Sequence, residues 1–149
     1  IRELLDHIDP KNPFYHIIRT PRGADHARLL QDFRFVFKTL DAGFISEPNY
    51  FKLHRRPVDA LFSTKPLKHT FVFIVDKLRC AKSITLDHVQ ICYDRFVHKP
   101  NYDAVLQGLL GRCTGFHPHS SHIRIFTFKF IILNSNLLRI KHNIFYPTH

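Results

Sequence analysis

One segment constrains the fold more than any other. Residues 68–75 read Lys-His-Thr-Phe-Val-Phe-Ile-Val, an apolar run rich in β-branched and aromatic side chains. A run that short, with no polar alternation, fits a strand covered on both faces, as in a central parallel sheet. Parallel strands need long crossover connections, so the rest of the chain should alternate strands with helices. Residues 15–19 and 89–93 read as two further short strands, and residues 123–133 as another strand-like stretch. Between them, residues 24–40 place Leu29, Leu30, Phe33, Val36, Phe37 and Leu40 at spacings of three and four, the pattern of an amphipathic helix. Gly43 fits the role of its C-cap. Residues 77–83 and 103–113 also read as helical. Residues 46–66, with Pro48, Pro57 and Pro66, read mostly as loop, with a short strand or helix around 58–62. Residues 1–13 read as a lead-in ending in a turn at Asp9-Pro10-Lys11-Asn12-Pro13.

The expected fold is therefore α/β, in three layers, with a mainly parallel sheet and helices on both faces. At 149 residues the chain suits one domain. It carries no Met, which leads to the expectation that it is cut from a longer product. No apolar run reaches the length of a membrane span. Cys80, Cys92 and Cys113 are odd in number and widely spaced, which argues for a reducing, intracellular compartment rather than a disulfide framework.

Charge narrows the partners. Lys and Arg outnumber Asp and Glu by 22 to 12, a net charge of +10. That balance suits a polyanion, and nucleic acid is the usual one. Half of the excess lies after Asp103, where no acid occurs.

The stretch 107–115, Gln-Gly-Leu-Leu-Gly-Arg-Cys-Thr-Gly, carries the most chemistry. Gly108 and Gly111 interrupt a helical pattern at up to about 1 kcal/mol each relative to Ala. Close backbone approach to a neighbouring element or to a phosphate would account for them. Arg112 beside them could present its planar fork to a phosphate, or it could be an exposed arginine beside a tight helix–sheet contact. His117, His119 and His122 follow Cys113, but their spacing matches no standard zinc site and no metal is expected. Asp76, Asp94 and Asp103 fit strand ends and helix N-caps.

Gln107, Gly111-Arg112 and Gly115 together resemble motif VI of superfamily-2 helicases and translocases. They follow 68–83 and then 88–95 (His-Val-Gln-Ile-Cys-Tyr-Asp-Arg) in an order similar to the second RecA-like lobe of helicases from phages and large DNA viruses. The likeness is best over 66–127. It makes 14–127 the lobe, with its opening strand and helix at 15–40 and its closing strand at 122–127, and leaves 128–149 as a basic tail of unknown role.

The resemblance implies that ATP and Mg bind mainly to a first lobe. This chain would supply Arg112 to stabilise charge on the transferring phosphoryl group, a role worth about 10³ to 10⁵ in rate. Gln107 would support the nucleotide site or the lobe interface, and Gly108 and Gly111 would lie close to the nucleotide. Lys77, Arg79 and Lys82 would meet the nucleic-acid backbone. The chain departs from the pattern in two places. Three residues rather than two separate Gln107 from Gly111-Arg112, and Gly115 stands where a second Arg is common. No Gly-Lys-Ser/Thr P-loop occurs, so the chain is not expected to hydrolyse ATP alone. The alternative is a non-catalytic RecA-like nucleic-acid-binding or scaffold subunit of a larger assembly.

Overall fold

A computed structural model describes residues 1–47, 57–75, 84–94, 123–126 and 144–145. A short 3-10 helix, Arg2–His7, opens the chain. The strands are β1 (Tyr15–Arg19), β2 (Gly43–Ser46), β3 (Thr70–Ile74), β4 (Val89–Tyr93), β5 (Arg124–Phe126) and β6 (Ile144–Phe145), and the helices are α1 (Ala24–Val36) and α2 (Val58–Leu61). The six strands form one sheet in the order β2-β3-β1-β4-β5-β6. Every pairing is parallel. The fold is the α/β arrangement expected, and the 68–75 run does supply a central strand, with all five residues of β3 buried.

Side-chain alternation along the strands divides the core into two layers. Tyr15, Ile17, Val72, Ile74, Val89, Cys92 and Ile125 face one way and pack with Phe62, Ile84, Leu86 and Ile123. Ile18, Phe71, Phe73, Ile91 and Phe126 face the other way, against Phe33 and Phe37 of α1 and Leu4 of the N-terminal 3-10 helix. The layers stay in step across β1 and β4 because β4 carries a bulge. Tyr15 pairs with Val89 but His16 pairs with Ile91, leaving Gln90 as the extra residue. The Gln90 side-chain carbonyl accepts the Asp9 N–H at 3.2 Å, tying the lead-in to the sheet.

Three crossovers, those with described residues packed on the sheet, fit a single handedness. The β1–β2 connection runs past β3 to the sheet edge and carries α1 on the Phe71/Phe73 face. The β2–β3 and β3–β4 connections run in the opposite sense. Their Leu61 and Phe62, and their Ile84 and Leu86, pack on the opposite face. Connections of one hand that run in opposite directions must lie on opposite faces, which is how the three layers arise.

Three local expectations are corrected. Gly43 does not cap α1, which closes at Phe37 through an N–H to the Phe33 carbonyl. Gly43 instead opens β2, where its N–H donates to the His69 carbonyl at 2.7 Å. Residues 43–46, of which Gly43 was expected as a cap and Ser46 as the start of a loop, are an edge strand in register with β3. The lead-in also contributes to the core, since Leu4 is buried in it.

Gly23 starts α1 at φ 71° and ψ −139°, a conformation that only glycine adopts cheaply. A Cβ built there meets nothing within 4 Å, so substitution costs conformational energy and not space. Gly23→Ala is expected to lower stability by about 1–3 kcal/mol, read from the urea midpoint at unchanged m-value.

Candidate functional site

Ligands of open parallel sheets bind at the C-terminal ends of the strands, in the crevice where neighbouring connections depart in opposite directions. Here that point lies between β1, whose chain continues toward β2, and β4, whose chain continues toward β5 on the other side. An ion pair occupies it. Arg19 ends β1 and Asp94 follows β4, with Arg19 Nη1 3.2 Å from Asp94 Oδ2. Their side chains are only 10% and 4% exposed. The Asp94 N–H donates to the Phe126 carbonyl at 2.9 Å, anchoring the carboxylate to the end of β5. The neighbouring Tyr93 phenol is pushed above its usual range, first by burial and then by the Asp94 charge. Asp94 does follow a strand end, as expected, and is in addition a buried partner of Arg19; the helix it was expected to cap lies outside the described residues.

A hydroxyl–imidazole chain lies beside the pair. The Thr20 N–H donates to the Ile74 carbonyl at 2.9 Å, and its hydroxyl donates to the same oxygen at 3.2 Å. Thr20 Oγ1 is 2.5 Å from His26 Nδ1, and His26 Nε2 is 2.9 Å from Ser46 Oγ. This chain links the ends of β1 and β2 to the first turn of α1. Burial holds the His26 imidazole below its ordinary pKa, with the Glu47 charge opposing, so the ring is neutral near pH 7. Glu47 also accepts the Val75 N–H at 3.2 Å. The edge therefore combines a guanidinium paired to the Asp94 carboxylate, the Glu47 carboxylate, and neutral hydroxyl and imidazole groups, a set rich in hydrogen-bonding groups whose guanidinium fork is engaged on one side only.

A second polar cluster lies at the opposite end of β1 and β3. The His16 and His69 rings stack with centroids 5.2 Å apart, and His16 Nε2 is 3.0 Å from His69 Nδ1. His69 Nε2 donates to the Asp9 carbonyl at 2.9 Å. Among the described residues no group of three or more His, Cys, Asp or Glu is arranged to hold a metal ion.

Arg112, Gln107, Gly111, Gly108, Lys77, Arg79 and Lys82 all lie outside the described residues, as do His117, His119 and His122. Sequence reasoning missed Arg19, His26 and Asp94. For Arg19 a signal existed: an arginine closing the first strand just before Thr20-Pro21-Arg22-Gly23, the first strand-to-helix turn of a parallel sheet.

Comparison with known proteins adds one relative. An uncharacterized protein of Acanthamoeba polyphaga mimivirus is 30% identical over 83 residues, covering 56% of this chain and 20% of the relative. The chain thus spans about a fifth of the length of that protein. No protein family and no solved structure matches. Among the described residues no helix is long and apolar enough to cross a membrane.

Proposed function

We propose that this chain is the second RecA-like lobe of an ATP-dependent nucleic-acid helicase or translocase of the large-DNA-virus type, working inside the cell. One observation carries the reading. An opening strand and helix, a buried strand, a second strand and a closing strand occur at Tyr15–Arg19, Ala24–Val36, Thr70–Ile74, Val89–Tyr93 and Arg124–Phe126. That is the order the motif resemblance requires. β3 ends three residues before Lys77, and β4 ends fourteen residues before Gln107. The match to a mimivirus protein agrees with the viral part of the reading; that protein is uncharacterized, so the match supports no activity.

In this role Arg112 stabilises the charge of the transferring phosphoryl group, and Gln107 supports it. Gly108 and Gly111 permit close approach of the nucleotide. Lys77, Arg79 and Lys82 hold the nucleic-acid backbone without reading sequence. The guanidinium at the switch point suits phosphate. By the resemblance, ATP and Mg are held mainly by a P-loop lobe, and this lobe is not active alone. The missing P-loop also favours a second reading, a non-catalytic nucleic-acid-binding or scaffold subunit.

Fluorescence anisotropy with labelled single- and double-stranded oligonucleotides tests both. Binding is expected at low salt, and its logarithm should fall linearly with log salt concentration. No binding at 20 mM salt would rule out both readings. Joining the chain to a P-loop lobe encoded in the same reading frame separates them. The translocase reading expects nucleic-acid-stimulated ATPase activity that Arg112→Ala lowers at least about 10³-fold.

A further inference from the structure

We propose that Arg19 is a phosphate-binding residue at the β1/β4 crevice and that Asp94 is its positioning partner. The inference deepens the lobe reading above, since the phosphate would belong to the nucleotide or to the nucleic-acid strand.

The ion pair sits where an open parallel sheet receives its ligand. A guanidinium has five N–H donors in a rigid fork. Among the described residues, Asp94 is the one side-chain partner of Arg19, and it engages Nη1. The only buried side-chain polar atom without a partner among those residues is His16 Nδ1. The remaining Arg19 donors are therefore not wholly sealed in the core, and the side chain keeps 10% of its surface exposed. Asp94 is more buried than Arg19 and is anchored through its own N–H, so it fixes the fork from behind.

A purely structural role explains the pair poorly. A buried ion pair is often no more stabilising than apolar residues of similar volume. A guanidinium held at one nitrogen by a fixed carboxylate, with further donors to spare, is, in contrast, preorganised for the paired acceptor oxygens of a phosphate. The net charge of +10 adds long-range attraction for the same class of ligand.

The test uses the whole 149-residue chain with two probes, a fluorescein-labelled oligo-dT and inorganic tripolyphosphate. Removing Arg19 alone would take the ion-pair cation away from a buried carboxylate and threaten folding. The decisive variant therefore replaces both partners, Arg19→Met with Asp94→Leu. It should melt near the wild-type temperature yet bind about 10- to 100-fold more weakly, as expected for losing a charged hydrogen-bonding group. Arg19→Lys keeps the charge but not the fork and should fall in between.

Asp94→Asn discriminates by sign. It makes the chain more positive, so attraction by net charge alone predicts tighter binding, whereas loss of positioning predicts weaker binding. Arg19 and Asp94 effects on tripolyphosphate binding would identify a nucleotide-type site; effects on oligo-dT alone would identify a strand-backbone site. Either supports the proposal. Wild-type affinity in the double variant, or tighter binding by Asp94→Asn, overturns it and leaves the lobe reading standing. If the double variant does not fold, Arg19→Lys and Asp94→Asn decide the question alone. A wild-type chain that binds neither probe overturns both the proposal and the lobe reading.

Discussion

Phe33→Ala is expected to destabilise the domain by about 3–5 kcal/mol, enough to unfold much of the population of a marginal protein. Phe33 projects from the middle of α1 and is fully buried. Its ring meets Phe37 at a centroid distance of 5.7 Å, Phe71 at 5.6 Å, Phe73 at 5.3 Å and Tyr93 at 6.2 Å. Truncation would remove contacts to the end of α1, to β3 and to β4 at once. Three of these four contacts are edge-on, a favoured ring geometry that no smaller side chain restores. Phe33→Leu keeps most of the volume and should cost less than about 1.5 kcal/mol. Phe35, two residues on, points away from the sheet and is 65% exposed. Phe35→Ala should stay within about 0.5 kcal/mol of wild type. Urea denaturation of the three variants reads the comparison. Equal costs for Phe33→Ala and Phe35→Ala would mean that α1 does not present the Phe33 face to the sheet.

The contrast between Phe33 and Phe35 shows what was legible in the sequence. Periodicity located α1, β1, β3 and β4 because each carries enough apolar residues for its period to stand out from its neighbours. β2 escaped because its four residues, Gly-Phe-Ile-Ser, are only half-buried at the sheet edge and begin with a glycine that also suits a helix end. The 3-10 helix escaped because one buried residue, Leu4, makes no period. The candidate site was legible only in part. The motif residues of 107–115 were found by resemblance and lie outside the described residues, while Arg19 and Asp94 carry no motif. These two are 75 positions apart and meet only because the crossovers set β4 beside β1. A contact made by topology leaves no trace in local spacing. Asp94 illustrates the limit: local reasoning placed it at a strand end, where it is, and only the neighbouring strand revealed its ion-pair partner.

Acid is expected to weaken the fold through the same kind of long-range contact, at His16. The His69 Nε2 atom faces the Asp9 carbonyl, which can only accept, so that nitrogen carries the proton. His69 Nδ1 is then a bare acceptor, taking the Phe14 N–H at 3.4 Å and the His16 Nε2–H at 3.0 Å. His16 Nδ1 is in turn bare, fully buried and without a partner. Protonating His16 there would bury a charge beside Phe71 and His69 with nothing to receive it. Burial first, and the His69 charge second, hold its pKa at about 3. His69 is lowered as well, by burial, with the Asp9 carbonyl and carboxylate opposing. Both shifts have one sign. The unfolded chain binds more protons than the folded one once pH drops below the ordinary histidine value of 6.5. Stability is therefore complete above that value and is lost as pH falls toward 3. For His16 alone the loss approaches about 1.4 kcal/mol per pH unit, or about 2 kcal/mol by pH 5. His16→Phe keeps a flat ring on Phe71 and removes the titrating group. Wild type should lose about 2 kcal/mol more than this variant between pH 7.5 and pH 5 in urea denaturation. Equal losses in the two proteins would show that His16 is not held neutral by the fold.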